Sequence, residues 1–301
     1  MIRTNSSALL LDVGGTFIKA CFLPSLSSFE KGVVSEFSVN SDGTSKEILA
    51  SFSNLQKWAE QLAVDANRPI GYVAVAIPGP FDYKQGVFLM QHKFKSVYGQ
   101  NFRDLLHFDT EDVVYYYIHD VNCMLLGEMS SLEMNAYRNI ALVTLGTGLG
   151  FSMSLDGEIL LSDKGSPRRS IYNMPCLEGG VLEDYVSKRG FLSCYMKLTG
   201  ESNPSLTVKD IAQKATMGDN LAIRTFEEVA HTLCSYLRDL LEEYEIEALL
   251  FGGQISRSFF LMESAIRKDL LRVGPLRKIS AVSDISNATF RGLESLLIES
   301  R

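Results

Sequence analysis

Ala8-Leu-Leu-Leu-Asp12-Val-Gly14-Gly15-Thr16-Phe-Ile-Lys19-Ala-Cys-Phe-Leu23 is an apolar run that ends in a carboxylate, turns through two glycines and a threonine, and becomes apolar again. The order predicts strand, tight turn, strand, with the glycines supplying the positive φ that a hairpin turn needs. A turn stripped of side chains leaves its backbone N–H groups open to an anion such as phosphate. Asp12, at the strand end, is suited to face a Mg²⁺ ion chelated by that phosphate, because Mg²⁺ takes one or two carboxylates plus phosphate oxygens. A plain hairpin with an aspartate at its turn fits the same residues, since short glycine motifs also arise by chance.

Three other segments repeat or extend this logic. Ile140-Ala-Leu-Val-Thr144-Leu-Gly146-Thr147-Gly148-Leu-Gly150 is again an apolar strand running into a glycine–threonine turn, and Phe151–Leu155 returns as a strand. Ala248-Leu-Leu-Phe251-Gly252-Gly253 runs into a double glycine, where backbone can lie flat against a ligand. Tyr115-Tyr-Tyr-Ile118-His119-Asp120 reads as a strand ending in a carboxylate, followed by the helical pattern Val121–Glu128. Asp120 thus falls at a strand-to-helix junction near an N-cap, where the helix dipole favours its ionised form.

Together these motifs resemble the ROK family of sugar kinases, glucokinase-like members included, and related repressors, within the actin, sugar kinase and heat-shock ATPase superfamily. The likeness runs over nearly the whole chain. Asp12 to Lys19 is similar to the family's first phosphate loop, Ala76-Ile-Pro78-Gly79-Pro80 to its interdomain segment, and His119 to Glu128 to the motif that holds the catalytic aspartate. Leu145 to Gly148 is similar to the second phosphate loop, and Phe251 to Gly253 to the turn on the adenosine side. The resemblance implies an α/β fold of two ribonuclease H-like, actin-like ATPase domains with a cleft between them. The first domain would span 1–118 and the second 119–287, with a closing helix, 288–301, packing back on the first.

It also implies ATP and Mg²⁺ as cofactors and a small-molecule sugar as substrate. Nucleotide binding would fall to Asp12, Gly14, Gly15, Thr16, Lys19, Gly146, Thr147, Gly148, Gly252 and Gly253, with Asp12 meeting Mg²⁺ indirectly, through water. Asp120 would be the general base for the sugar hydroxyl, since phosphoryl transfer asks mainly for positioning, charge neutralisation and one proton acceptor. Pro78, Gly79, His119, Asp120 and Glu183 would line the sugar. Without the resemblance, Asp120 reads equally as a capping aspartate worth about 1 kcal/mol to its helix, and Glu183 as a solvated helix residue.

The sugar side departs from the family pattern. His119 stands where relatives have asparagine. The family's Glu-x-x-His pair falls on Arg169 and Tyr172, so glucose is expected to be a poor substrate, and Arg169 could meet an anionic one. Of the cysteine cluster that builds the family's structural zinc site, Cys176 alone is present, and one thiolate does not make a tetrahedral zinc site, so no structural zinc is expected.

Composition narrows the classes further. A 46% apolar and 22% charged chain of 301 residues is long enough for two ordinary domains with real cores. A net charge of −7 argues against a nucleic-acid partner. The first phosphate loop lies so near residue 1 that no helix-turn-helix is expected ahead of it. Five scattered cysteines read as thiols of a reducing compartment, and no apolar stretch approaches the ~20 residues of a membrane span, so a cytoplasmic location with no membrane partner is expected. Relatives often dimerise, which leaves a homodimer open. The leading reading is an ATP-dependent kinase of a sugar or amino-sugar hydroxyl. The alternative is a degenerate homologue that binds sugar or nucleotide as a sensor; Pro78 to Pro80 and Glu183 disfavour a hydrolysing ATPase of the actin or chaperone kind.

The coarse elements follow periodicity. Strands are expected near 8–23, 32–39, 71–77, 87–90 and 113–118, with a helix at about 45–66. Strands at 139–145 and 151–155 are followed by a largely helical run to about Tyr244, then a strand at 248–251 and a last helix at 288–298.

Overall fold

In the computed structural model the described residues are 6–26, 29–109, 113–201 and 203–299. They form two compact units, 1–134 with 161–168 and 286–301, and 135–160 with 169–285. The division falls after Met134, whereas the family resemblance implies a boundary after Ile118. Residues 300 and 301 of the expected closing helix lie outside the described residues.

The first unit is built on β1 (Ser7–Val13), β2 (Phe17–Leu23), β3 (Val33–Ser38), β4 (Ile70–Ile77) and β7 (Val114–His119), in the order β3-β2-β1-β4-β7. The short pair β5 (Phe81–Asp82) and β6 (Val87–Phe88) leaves the end of β4. β1, β2 and β3 are antiparallel neighbours, whereas β1, β4 and β7 run parallel. β1 is buried along almost its whole length, which explains why Leu9, Leu10 and Leu11 are consecutive apolar residues rather than alternating ones.

One face of that sheet packs on α1 (Ser45–Asp65) through Ile48, Phe52, Leu55 and Ala59. The helix starts with a capping box, Thr44 accepting from the Glu47 N–H while the Glu47 carboxylate accepts from Thr44. The helices α2 (Phe102–Leu105) and α3 (Asp120–Met129) complete the unit's own stretch of chain.

The second unit repeats the plan with β8 (Ile140–Leu145), β9 (Leu149–Leu155), β10 (Glu158–Ile159), β11 (Ala248–Gly252) and β12 (Lys278–Ala281), in the order β10-β9-β8-β11-β12. Numbered within each unit, both orders are 3-2-1-4-5, with the first three strands antiparallel and the last three parallel. This is the strand order of the ribonuclease H-like fold that the family resemblance implies. The run after β10 is not helical at first: 160–181 is irregular, and the helices begin with α4 (Leu182–Val186), α5 (Lys188–Thr199), α6 (Val208–Thr216) and α7 (Asn220–Glu243), followed by α8 (Glu263–Asp269). Three glycines and two prolines between Gly165 and Gly180 explain the break in helical pattern. On α7, Phe226, Val229, Ala230, Leu233, Leu237 and Leu241 are buried on one face, as their spacing predicts.

The last helix, α9 (Ala288–Glu299), belongs to the first unit and lies on α3. Its approach is close enough that a Cβ on Gly292 would stand 1.9 Å from the Cys123 carbonyl oxygen, and one on Gly127 2.3 Å from that of Ala288. Glu128, 5% exposed, pairs with Arg291 at 2.9 Å across the same contact. α3, which carries Asp120, is therefore clamped rather than merely tethered. Among the described residues, no helix is long and apolar enough to cross a membrane.

Candidate active site

In the first unit the register sets Asp12 beside Ala76 and Ala76 beside Ile118, so β1, β4 and β7 end together. Asp12, Pro78-Gly79-Pro80 and His119-Asp120 therefore leave the sheet at one edge, the carboxyl ends of parallel strands where α/β proteins place ligands. Asp12 is partly buried, and its pKa is pushed up to about 6, first by burial and then by the charge of Asp120; Lys19, opposite it in the hairpin, pulls the other way. The two carboxylates thus feel each other across β4.

Asp120 itself is kept below the usual carboxylate range. Its surroundings raise its pKa, but the charge and hydrogen bond of His119, the Val121 N–H and the charge of Lys93 outweigh them. The helix begins one residue earlier than it would behind a capping Asp120: His119 is the N-cap and Asp120 is the first helical residue. His119 Nδ1 lies 2.8 Å from Asp120 Oδ1, a contact that a proton on Nδ1 makes favourable. The Val121 N–H lies 2.8 Å from Asp120 Oδ1 and 3.2 Å from His119 Nδ1, so it donates mainly to the carboxylate. The other edge of the imidazole faces Gly79, where an added Cβ would stand 3.4 Å from Nε2 and Cδ2. Tyr83 flanks the ring at 5.7 Å, held by its hydroxyl donating to the Ile77 carbonyl.

The first turn differs from the sequence reading in one respect. Neither Gly14 nor Gly15 has a positive φ. Their glycines are needed for space: a Cβ on Gly14 would sit 2.9 Å from the Phe17 carbonyl oxygen, and one on Gly15 would sit 3.0 Å from Ser41 Oγ and 3.4 Å from Lys93 Cδ and Cε. The Gly14 N–H donates to Phe17, while those of Gly15 and Thr16 have no acceptor among the described residues. Thr16 is exposed, and its carbonyl accepts from Val39. Ser41 and Lys93 had no signal in the sequence, because loops far apart in the chain bring them to Gly15.

In the second unit, Gly146, Thr147 and Gly148 join β8 to β9, and the pairing of Thr144 with Gly252 puts Gly252 and Gly253 at the same sheet edge. The Gly146 N–H donates to the Gly148 carbonyl, while those of Thr147 and Gly148 have no acceptor among the described residues. Gly253 has φ 82°, and a Cβ there would stand 2.4 Å from the Leu145 carbonyl oxygen, so no other residue fits. Glu183, one quarter exposed, is bound into this turn: Oε2 accepts from the Leu149 N–H at 2.9 Å, and Oε1 from Arg189 at 3.0 Å.

Arg169 is turned to the other edge of that sheet. Its Nε donates to the Tyr244 hydroxyl at 2.8 Å, and its guanidinium pairs with Glu243 at 3.4 Å, at the end of α7 that leads into the start of β11. That placement corrects the expectation that Arg169 meets an anionic substrate. Tyr172 is half exposed, and its carbonyl accepts from the Glu183 N–H. Cys176 is half-buried beside Tyr236, and no group of three His, Cys, Asp or Glu side chains is placed to hold a metal among the described residues.

An N-acetyl-D-glucosamine kinase of Pasteurella multocida is 25% identical over 203 residues, 60% of this chain and 66%, just under two thirds, of its own length. A ROK family glucokinase from Streptomyces griseus, solved with glucose and AMPPNP, superposes with a TM-score of 0.75 at 18% identity, over 97% of this chain and 99% of that one. A ROK family transcriptional regulator, a homologue of E. coli MLC, superposes with a TM-score of 0.77 at 16% identity, over 97% of this chain and 78% of that one. At such identities the superpositions speak for the fold. The ROK family model matches residues 9–292, and the chain belongs to the ROK family.

Proposed function

We propose that the chain is an ATP-dependent kinase of a sugar or amino-sugar hydroxyl, with Asp120 as general base. The observation that carries this reading is the pair of carboxylates at the carboxyl edge of the first unit's sheet. Asp120 is held ionised by His119, Val121 and Lys93, and is thus ready to accept the hydroxyl proton. Asp12 is the opposite case: burial and the Asp120 charge make its anion costly, and a cation would relieve that cost. Asp12 therefore fits the Mg²⁺ that arrives with the nucleotide and neutralises phosphate charge when bound.

The open N–H groups of Gly15 and Thr16 in one unit, and of Thr147 and Gly148 in the other, suit phosphate oxygens. His119, with Nδ1 toward Asp120, presents Nε2 on the Gly79 side to a substrate hydroxyl. The name of the Pasteurella multocida relative and the changed Glu-x-x-His pair favour an N-acetylhexosamine over glucose.

Steady-state kinetics on N-acetyl-D-glucosamine, N-acetylmannosamine, glucose and acidic sugars test this. An N-acetylhexosamine should show the highest kcat/KM, and glucose in first place would refute the preference. No turnover of any sugar, with sugar- or nucleotide-induced stabilisation intact, would favour a second reading, a sensor without catalysis. Arg169 and Tyr172 in place of the family pair, and the regulator of like fold, are the observations behind that second reading.

A further inference from the structure

Lys93 is placed by a chain of contacts that starts at the first glycine turn. The Ser41 N–H donates to the Gly15 carbonyl at 3.0 Å, and the Phe94 N–H donates to the Ser41 carbonyl at 2.7 Å. Phe94 is fully buried and packs on Phe88 with ring centres 5.5 Å apart, so the residue before it is anchored from the core. From there the Lys93 methylenes reach over Gly15, where an added Cβ would lie in van der Waals contact with them, 3.4 Å from Cδ and Cε. The ammonium acts on Asp120 electrostatically, yet no ion pair joins Lys93 to a carboxylate among the described residues. A partly buried lysine, held by packing and not by an acidic partner, beside a turn with two open N–H groups, is a site for a further anion.

We propose that Lys93 is a catalytic residue that binds the phosphoryl group being transferred, adding positive charge where the nucleotide's terminal phosphate meets Asp120. The proposal rests on the kinase reading. Negative charge spread over the equatorial oxygens in phosphoryl transfer is what such a cation stabilises. The bond to the leaving nucleoside diphosphate breaks as the sugar oxygen bonds to phosphorus, the hydroxyl proton passes to Asp120, and Lys93 keeps its own protons throughout.

Lys93→Met keeps the packing length and removes the charge, and Lys93→Arg keeps the charge. Lys93→Met should melt as the wild type does, lose about 10²–10³-fold in kcat with the KM for sugar unchanged, and regain much of the rate as Lys93→Arg. Titration with Mg²⁺ and a non-hydrolysable ATP analogue should show binding weakened by roughly tenfold or more, with Mg-ADP bound as before. Unchanged triphosphate binding in Lys93→Met would overturn the proposal. So would an equal loss for ADP, or a loss confined to the sugar, which would mark Lys93 as a sugar-side residue. If the wild type phosphorylates no sugar, the kinase reading fails, and the nucleotide titrations still decide whether Lys93 binds the terminal phosphate.

Discussion

The turns at Gly14–Thr16 and Gly146–Gly148 join the first two strands of sheets with the same internal order, and in sequence they look like copies. Their surroundings differ. The first is ringed by groups that carry charge: Asp12 and Lys19 on its own hairpin, Lys93 across Gly15, and Asp120 near both Asp12 and Lys93. The second is braced as a piece of backbone, with Glu183 accepting from Leu149 and Lys188 donating to the Gly146 carbonyl. The two turns therefore share a backbone plan, and residues remote in sequence give the first its charged surroundings, which is what the proposed chemistry rests on.

The sharpest way to break this contrast is Asp120→Asn. The amide oxygen still accepts from Val121, so the fold should persist, while turnover should fall by about 10²–10⁴-fold. Near-normal turnover would remove Asp120 from the base role and the chemistry from the first unit.

Asp12→Asn should separate function from stability. Its folded pKa of about 6 lies above the ordinary aspartate value of 3.8, so the native state holds the proton more tightly between those values. Stability of the wild type therefore falls as pH rises through that window, and the cost is fully present above it. Asp12→Asn should be more stable than wild type by on the order of 1–3 kcal/mol at pH 7–8, with the gain vanishing below about pH 4. Wild-type kcat/KM for Mg-nucleotide should decline as pH drops through about 6, because the free enzyme's Asp12 is then protonated and no longer receives the cation. Urea titrations across pH, and a rate profile, check both. A variant less stable than wild type at pH 8 would mean that Asp12 is not a strained anion.

Gly148→Ala tests the second turn with a smaller effect. The new methyl would stand 2.8 Å from Glu183 Oε2, and that flexible carboxylate would swing aside and leave the Leu149 N–H unpaired. A loss of about 1 kcal/mol in stability is expected, with sugar affinity little changed. A large loss of sugar affinity would support the direct sugar contact that the family resemblance implies for Glu183.

Chelation should do least. EDTA without nucleotide should leave the melting temperature unchanged, and with ATP it should remove only the nucleotide-dependent part of the stabilisation. Unfolding by EDTA, or one zinc per chain by elemental analysis, would point to a metal site involving Cys176.

Apolar runs ended by glycine made both hairpins, β11 and the α7 face legible, because strand burial and helix periodicity are local properties of the chain. Asp12, Asp120 and the paired turns were legible for the same reason: each sits at the end of such a run. The hairpin turn at Gly14 and Gly15 is present, though not for the cause read from the sequence. Positive φ is a property of the turn itself, whereas the need for space at Gly14 and Gly15 comes from Phe17 O, Ser41 and Lys93, two of them distant in sequence. The irregular segment 160–181 was overrun by helical expectation, since its contacts and not its periodicity hold it in place.

The sequence by itself determined the two α/β halves, the family and the two carboxylates, since each depends on residues within one strand–turn–helix stretch. Tertiary structure alone decided the rest. Lys93 and Ser41 reach Gly15 through a loop folded on Phe94, Arg169 turns to Tyr244 and Glu243, and Glu183 is drawn into the second turn. Charge and hydrogen bonding act over a few ångströms of space whatever the distance along the chain, so these partnerships have no signature in residue order.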